Sequence, residues 1–236
     1  MEKGYKNIVY FFSVIVLITF VGFYKKYFSL APHFQGLKSV HHFHAVLLTS
    51  WLVLLIIQPI LIAKKKFALH RVLGKISYAL APIAFISMLI AYHNQYLRFI
   101  SEGQTETYVL SFVFAPATDA IPFILLYILA MVNKRETPSH MRYMIATGLI
   151  IGGPGMGRIF MTWLNMEIFM AIQFVVLITL ITFLSIISYD RVKKKIFRVN
   201  PYTIAFIIWL VPNVLITFFP ETSLWQGFAK WLVRVI

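Results

Sequence analysis

Eight acidic residues are scattered along the chain, and seven of them, Glu2, Glu102, Glu106, Glu136, Glu167, Asp190 and Glu221, fall in loops or at the ends of apolar runs. Asp119 falls deep inside one. A carboxylate near a bilayer centre costs about 2.5–3.5 kcal/mol on insertion scales, so it is expected to face other helices or to be protonated. In Ala115-Pro-Ala-Thr-Asp-Ala-Ile-Pro122, both Pro116 and Pro122 remove an amide donor and free carbonyls one turn back. A broken helix beside a buried acid has the make-up of a ligand or ion site. A structural ion pair or a protonated acid bonded to a carbonyl is the alternative use.

The expected partner is Arg158. His140, Met144, Thr147, Ile151, Pro154 and Arg158 alternate spacings of four and three, a seam down one helix face. Gly152-Gly-Pro-Gly-Met-Gly157, just before Arg158, is expected to interrupt that helix. Such small residues either let helices pack closely or unwind the backbone into a cavity. The arginine's long side chain reaches toward Asp119 or outward to the headgroups. His44, Trp51 and Gln58 stand seven apart on one helix face, and polar Gln58 should point at other helices. Asp119, Arg158, Trp51 and Gln58 are therefore the candidate ligand or ion site.

A second constellation suggests redox chemistry. His70-Arg71 and His140-Met-Arg142 open two apolar runs, and two imidazoles can be axial ligands to a haem whose propionates meet the arginines. Positive charge at cytoplasmic helix starts accounts for the same residues without a cofactor. His41, His42 and His44 cluster at one mouth, but no carboxylate lies in that run, and no metal site is assigned. With no cysteine in the chain, thiolate metal sites, iron–sulfur clusters and cysteine nucleophiles are excluded.

The elements that position these residues follow from hydropathy. The 236 residues are 60% hydrophobic and 13% charged, with a mean hydropathy of +0.79, outside the range of soluble domains. Seven runs, 7–24, 44–63, 72–93, 108–132, 141–163, 168–189 and 202–219, have the roughly 17–25 predominantly apolar residues of a membrane helix. The expected fold is a single all-α transmembrane bundle over 1–236, with its core in spans two to five, about 40–165.

Of 22 Lys and Arg, fifteen fall on the side of the N-terminus and of the 190–200 loop, which puts the N-terminus in the cytoplasm. The net charge of +14 is then topological, and no nucleic-acid partner is expected. The first run lacks a cleavage site and is read as a retained helix. In the tail 223–236, Gln226, Lys230 and Arg234 oppose Trp225, Phe228, Leu232 and Ile236, an amphipathic helix suited to the membrane surface.

Taken in order, Trp51, Gln58, His70-Arg71-Val-Leu-Gly74, Asp119, Phe123, His140-Met-Arg142-Tyr-Met144 and Pro154…Arg158 form a pattern. It resembles a large family of bacterial multi-spanning membrane proteins over about residues 40–165. The His-Arg-x-Leu-Gly and His-x-Arg-x-Met pieces are also similar to cytochrome b561-like proteins. That resemblance implies two b haems, ligated by pairing helix two with four and helix three with five. His70 and His140 fit the second pair, and His44 begins the first. The fourth run has no histidine to complete it, and His93 serves only by departing from the pairing. A microbial rhodopsin is excluded, because 202–219 has no Schiff-base lysine.

Two function classes follow for a protein of the bacterial cytoplasmic membrane. One is a haem b- or quinone-linked redox protein using His44, His70, His140, Arg71 and Arg142. The other is a transporter or small-ligand binder using Asp119, Arg158 and the broken helices.

Overall fold

The computed structural model describes residues 5–193 and 200–235, with side chains from Asn7 onward. Lys3, Lys194, Lys195 and Arg198, counted above for topology, and Ile236 of the tail stripe lie outside them.

The chain forms α1 (Tyr5–Tyr24), α2 (Ser39–Ala63), α3 (Phe67–Ser101), α4 (Glu106–Phe112), α5 (Ala120–Val132), α6 (Thr137–Trp163), α7 (Ile168–Val192), α8 (Pro201–Leu215) and α9 (Ser223–Val235). There is no strand among the described residues. Six helices, with Glu106–Val132 taken as one, are long and apolar enough to cross a membrane. The 15-residue α8 falls short of that length. Large apolar side chains such as Leu17, Val46, Val72, Phe169 and Ile181 point outward, as suits a helical bundle bathed in lipid rather than water.

Helix α6 is central, packing against α1, α2, α5, α7 and α8. Its glycines do not interrupt it: α6 runs unbroken through 152–157 to Trp163. The small residues seat α1 instead. A Cβ on Gly155 would lie 2.7 Å from the Thr19 Cα, and one on Gly22 only 2.0 Å from the Gly155 carbonyl oxygen. Gly148 and Gly152 likewise receive Phe12 and Ile15. Without a hydrophobic force between helices in lipid, this close backbone approach is what gives α1 its dispersion contacts.

The fourth run is the one that breaks. Phe112 ends α4, Ala115–Ala117 forms a 3-10 turn around Pro116, and α5 begins only at Ala120. Asp119 occupies the break as the cap of α5 rather than a mid-helix position. The Leu110 carbonyl, orphaned at the end of α4, accepts from Trp225 Nε1 at 3.0 Å, and Gln226 Nε2 donates to Thr107 O at 3.2 Å. Gln226 also donates to Ser111 Oγ at 3.0 Å, and Lys230 pairs with Glu106 at 2.9 Å. Helix α9 thus docks its polar side on α4, and its outward apolar stripe is Leu224, Phe228, Trp231 and Val235. Helix α8 connects the end of the bundle where α7 stops to the end where α4 starts.

Candidate functional site

Two polar clusters lie at different depths, separated by an aromatic layer, and α2 carries one residue of each of the three levels. His44, Trp51 and Gln58 are spaced at roughly 10 Å intervals along the helix axis.

The cluster at the His44 end of α2, labelled outer for that end alone as the one at the His70 end is labelled inner, surrounds the break. Asp119 Oδ1 accepts from the Ala120 amide at 2.5 Å and Oδ2 accepts from the Tyr92 hydroxyl at 2.6 Å. On the facing helices, Ser87 donates to Ala84 O at 2.7 Å. Its one proton is thereby committed, so the 3.0 Å contact with His44 Nδ1 is an imidazole N–H donating to Ser87 Oγ. The His44 Nε2 lone pair is left free.

Arg158 completes the cluster from α6, within electrostatic reach of Tyr92 and of His44. Its guanidinium lies over the Phe23 ring with Cζ 4.9 Å from the centroid. The Nε is buried without a hydrogen-bond partner. Among the described residues the Arg158 side chain makes no hydrogen bond and no ion pair, so Asp119 and Arg158 share a neighbour in Tyr92 but do not pair.

Trp51 forms the middle layer. It is fully buried, edge-on to Phe123 at 5.2 Å and to Tyr127 at 5.5 Å, and its indole N–H has no partner.

The inner cluster lies beyond it. Oriented to satisfy its neighbours, the Gln58 amide accepts from Gly74 N at 3.1 Å and donates to His70 O at 3.2 Å and to His70 Nδ1. Ser77 donates to Gly74 O at 2.6 Å and meets the Tyr127 hydroxyl at 3.1 Å. His140 Nδ1 donates to Ala130 O at 2.8 Å, since a carbonyl can only accept. His70 and His140 are near enough to feel one another's charge. Arg71, by contrast, is exposed.

Arg142 has a partner the sequence did not reveal. Its Nε and Nη2 donate to Asp190 Oδ2 at 2.6 Å and Oδ1 at 2.9 Å, and Nη1 donates to Pro138 O at 3.0 Å. Arg142 is 2% exposed and Asp190 3%. Asn200 Nδ2 adds a 3.4 Å contact to Asp190, and the Tyr202 ring stands 5.6 Å from the guanidinium. Asp190, expected at a span end, is in fact the buried half of a clasp joining α6, α7 and the start of α8.

Bis-histidine haem ligation needs an Nε2 lone pair on both rings. His140 supplies one. His70, with Gln58 donating to its Nδ1, presents an N–H there instead, and His44 has no histidine opposite it in the fourth run. The residues present therefore fit one axial ligand at each level, not two. The outer histidines are separately engaged: His41 Nδ1 accepts from Lys38 N at 2.9 Å and His42 Nδ1 meets the Tyr27 hydroxyl at 2.8 Å. An open apolar groove lies elsewhere, on the outward face between α5 and α8, lined by exposed residues including Ile121, Leu125, Ile207 and Val211.

No protein-family model matches the chain, and no curated protein or solved structure is significantly similar to it.

Proposed function

We propose that this protein is a non-enzymatic carrier or binder of a small polar ligand, held in the outer cluster of His44, Tyr92, Asp119 and Arg158. The observation that carries this reading is the Arg158 guanidinium, partly buried between apolar helices with its Nε lacking any acceptor. A charge so placed is costly unless something pairs with it. Asp119, the acid on the other side of Tyr92, is already occupied by the Tyr92 hydroxyl and the Ala120 amide. A ligand acceptor supplies the missing partner. The broken α4–α5 run gives it a way in, because a break held by side chains of α9 opens at lower cost than a continuous helix.

In this reading the bundle crosses the cytoplasmic membrane of a bacterium seven times, with α8 as the seventh pass. The support is its connection of opposite ends of the bundle. The N-terminus is then cytoplasmic, which the lysine and arginine distribution supports, and the outer cluster opens to the exterior.

The test is a thermal-stability screen of the purified protein against small polar metabolites, run in parallel on Arg158→Gln. At least one compound should stabilise the native protein by several degrees and leave the variant unmoved. A screen in which no compound distinguishes the two would refute the site.

A second reading rests on the inner cluster. His140 offers an acceptor and His70 a donor, the complement a quinone and its hydroquinone would use. The visible spectrum separates this from haem: a Soret band that shifts on reduction requires haem, and a colourless preparation with extractable quinone supports the hydrogen-bonding version.

A further inference from the structure

The outer cluster holds one fixed cation and one carboxylate that are not each other's partners. The donors on Asp119 are Tyr92 and a main-chain amide, both neutral as groups. Arg158 presents N–H donors and accepts nothing, and the ring of Phe23 beneath it leaves the guanidinium edge as its bonding surface. The group it lacks is therefore an acceptor with negative charge, matched to that edge as a carboxylate or a similar planar oxyanion is.

Charge balance then constrains Asp119. With Asp119 ionised and His44 neutral, Arg158 and Asp119 sum to zero. An entering monoanion leaves a net negative charge in a medium that screens poorly, and one proton on Asp119 removes it.

The other charged groups around the cluster do not serve. Arg98 of α3 is exposed and bonded to Glu102 at 3.4 Å. Lys25, beyond the end of α1, donates to Thr162 O at 2.9 Å and covers Trp163. His41 of α2 accepts the Lys38 amide, and His93 of α3 stacks on Tyr96. Lys230 of α9 is held by Glu106 of α4, and α8 brings no titratable side chain between residues 203 and 215. Besides Arg98, the titratable groups within electrostatic reach of Arg158 are Tyr92, whose hydroxyl is committed to Asp119, and His44.

We infer that the ligand is a small carboxylate-like monoanion bound by Arg158, and that its binding is coupled to uptake of one proton by the Asp119 carboxylate. This rests on the ligand-binding reading above. By linkage the proton and the anion favour each other equally. Above the range in which Asp119 titrates, the anion's apparent Kd should rise up to about tenfold per pH unit.

The experiment uses the full-length protein in detergent with sodium acetate and sodium nitrate as probes. It measures thermal stabilisation at several pH values and proton uptake with a pH dye in weakly buffered solution. Native protein should be stabilised saturably and take up about one proton per chain at a pH where Asp119 is ionised. Asp119→Asn should bind with a pH-independent Kd and no uptake, its fold checked by its melting transition without probe. Arg158→Gln should not bind.

Arg158-dependent binding without proton uptake overturns the coupling and leaves the ligand site standing, as does uptake that survives in Asp119→Asn but is lost in His44→Gln. If neither anion binds while an uncharged compound shows Arg158-dependent stabilisation, the anion class is wrong. If nothing binds, both readings fall together.

Discussion

Replacing Arg142 by Gln removes the bidentate fork on Asp190 and the bond to Pro138 O, leaving Asp190, among the described residues, with the 3.4 Å contact from Asn200. Gln is shorter and uncharged, and both partners are nearly inaccessible. Stranding one member of a buried pair costs about 3–5 kcal/mol. Soluble chains of this size lose about 2–4 °C per kcal/mol. On that scale, Arg142→Gln should lower the melting transition in detergent by about 6–20 °C, read by intrinsic fluorescence.

Much of that loss is the penalty on the abandoned carboxylate, so Arg142→Met with Asp190→Leu should recover a substantial part of it. A single variant melting within about 2 °C of the native protein would refute the clasp. A double variant no more stable than the single one would refute the charge-stranding explanation. The same pair bears on the haem reading: an arginine held by Asp190 and Pro138 is not free to meet a propionate.

Gly155→Val should prevent α1 from seating, because even its first carbon lies 2.7 Å from the Thr19 backbone; the expected cost is at least the roughly 1–3 kcal/mol of an overpacked core, seen as lost monodisperse protein on size exclusion. A reporter fused after the C-terminus should be active only if it works outside the cell, and one inserted at 193–200 only if it works inside. The opposite pattern would invert every inner and outer assignment. Trp225→Ala with Gln226→Ala should free α9 from α4 and expose the 112–119 break to protease, while α6 and α7 stay protected.

Composition and hydropathy made the helical, membrane-spanning character legible, because burying backbone in lipid leaves few alternatives to helix. Pro116 and Pro122 marked the break around Asp119 for the same reason: each removes a donor wherever it falls. The glycines of α6 were ambiguous, since close packing and unwinding use the same residue type, and only the position of Phe12, Ile15 and Thr19 opposite them decides.

Arg142 and Asp190 were misjudged because they lie 48 residues apart at helix ends. At such positions a lone charge reads as a headgroup contact, and nothing in one sequence reports a neighbour across the bundle. Gln58 was expected to face inward, and it does, but its bridge from His70 to Gly74 depends on the turn between α2 and α3. The stripe of α9 shifted for a comparable reason: the Leu110 carbonyl orphaned at the end of α4 draws Trp225 inward, Gln226 bonds to Thr107 O and Ser111 Oγ, and Leu224 and Trp231 are left outside.

The central claim is that Arg158 awaits a ligand rather than a protein partner. An experimental structure of the protein purified gently from its native membrane, at a resolution that shows small molecules, tests it most directly. Non-protein density is expected within about 3 Å of Arg158 Nε, beside Tyr92 and absent from Arg158→Gln. An Arg158 guanidinium bonded to the Asp119 carboxylate, with no density between helices α2, α3 and α6, would contradict it.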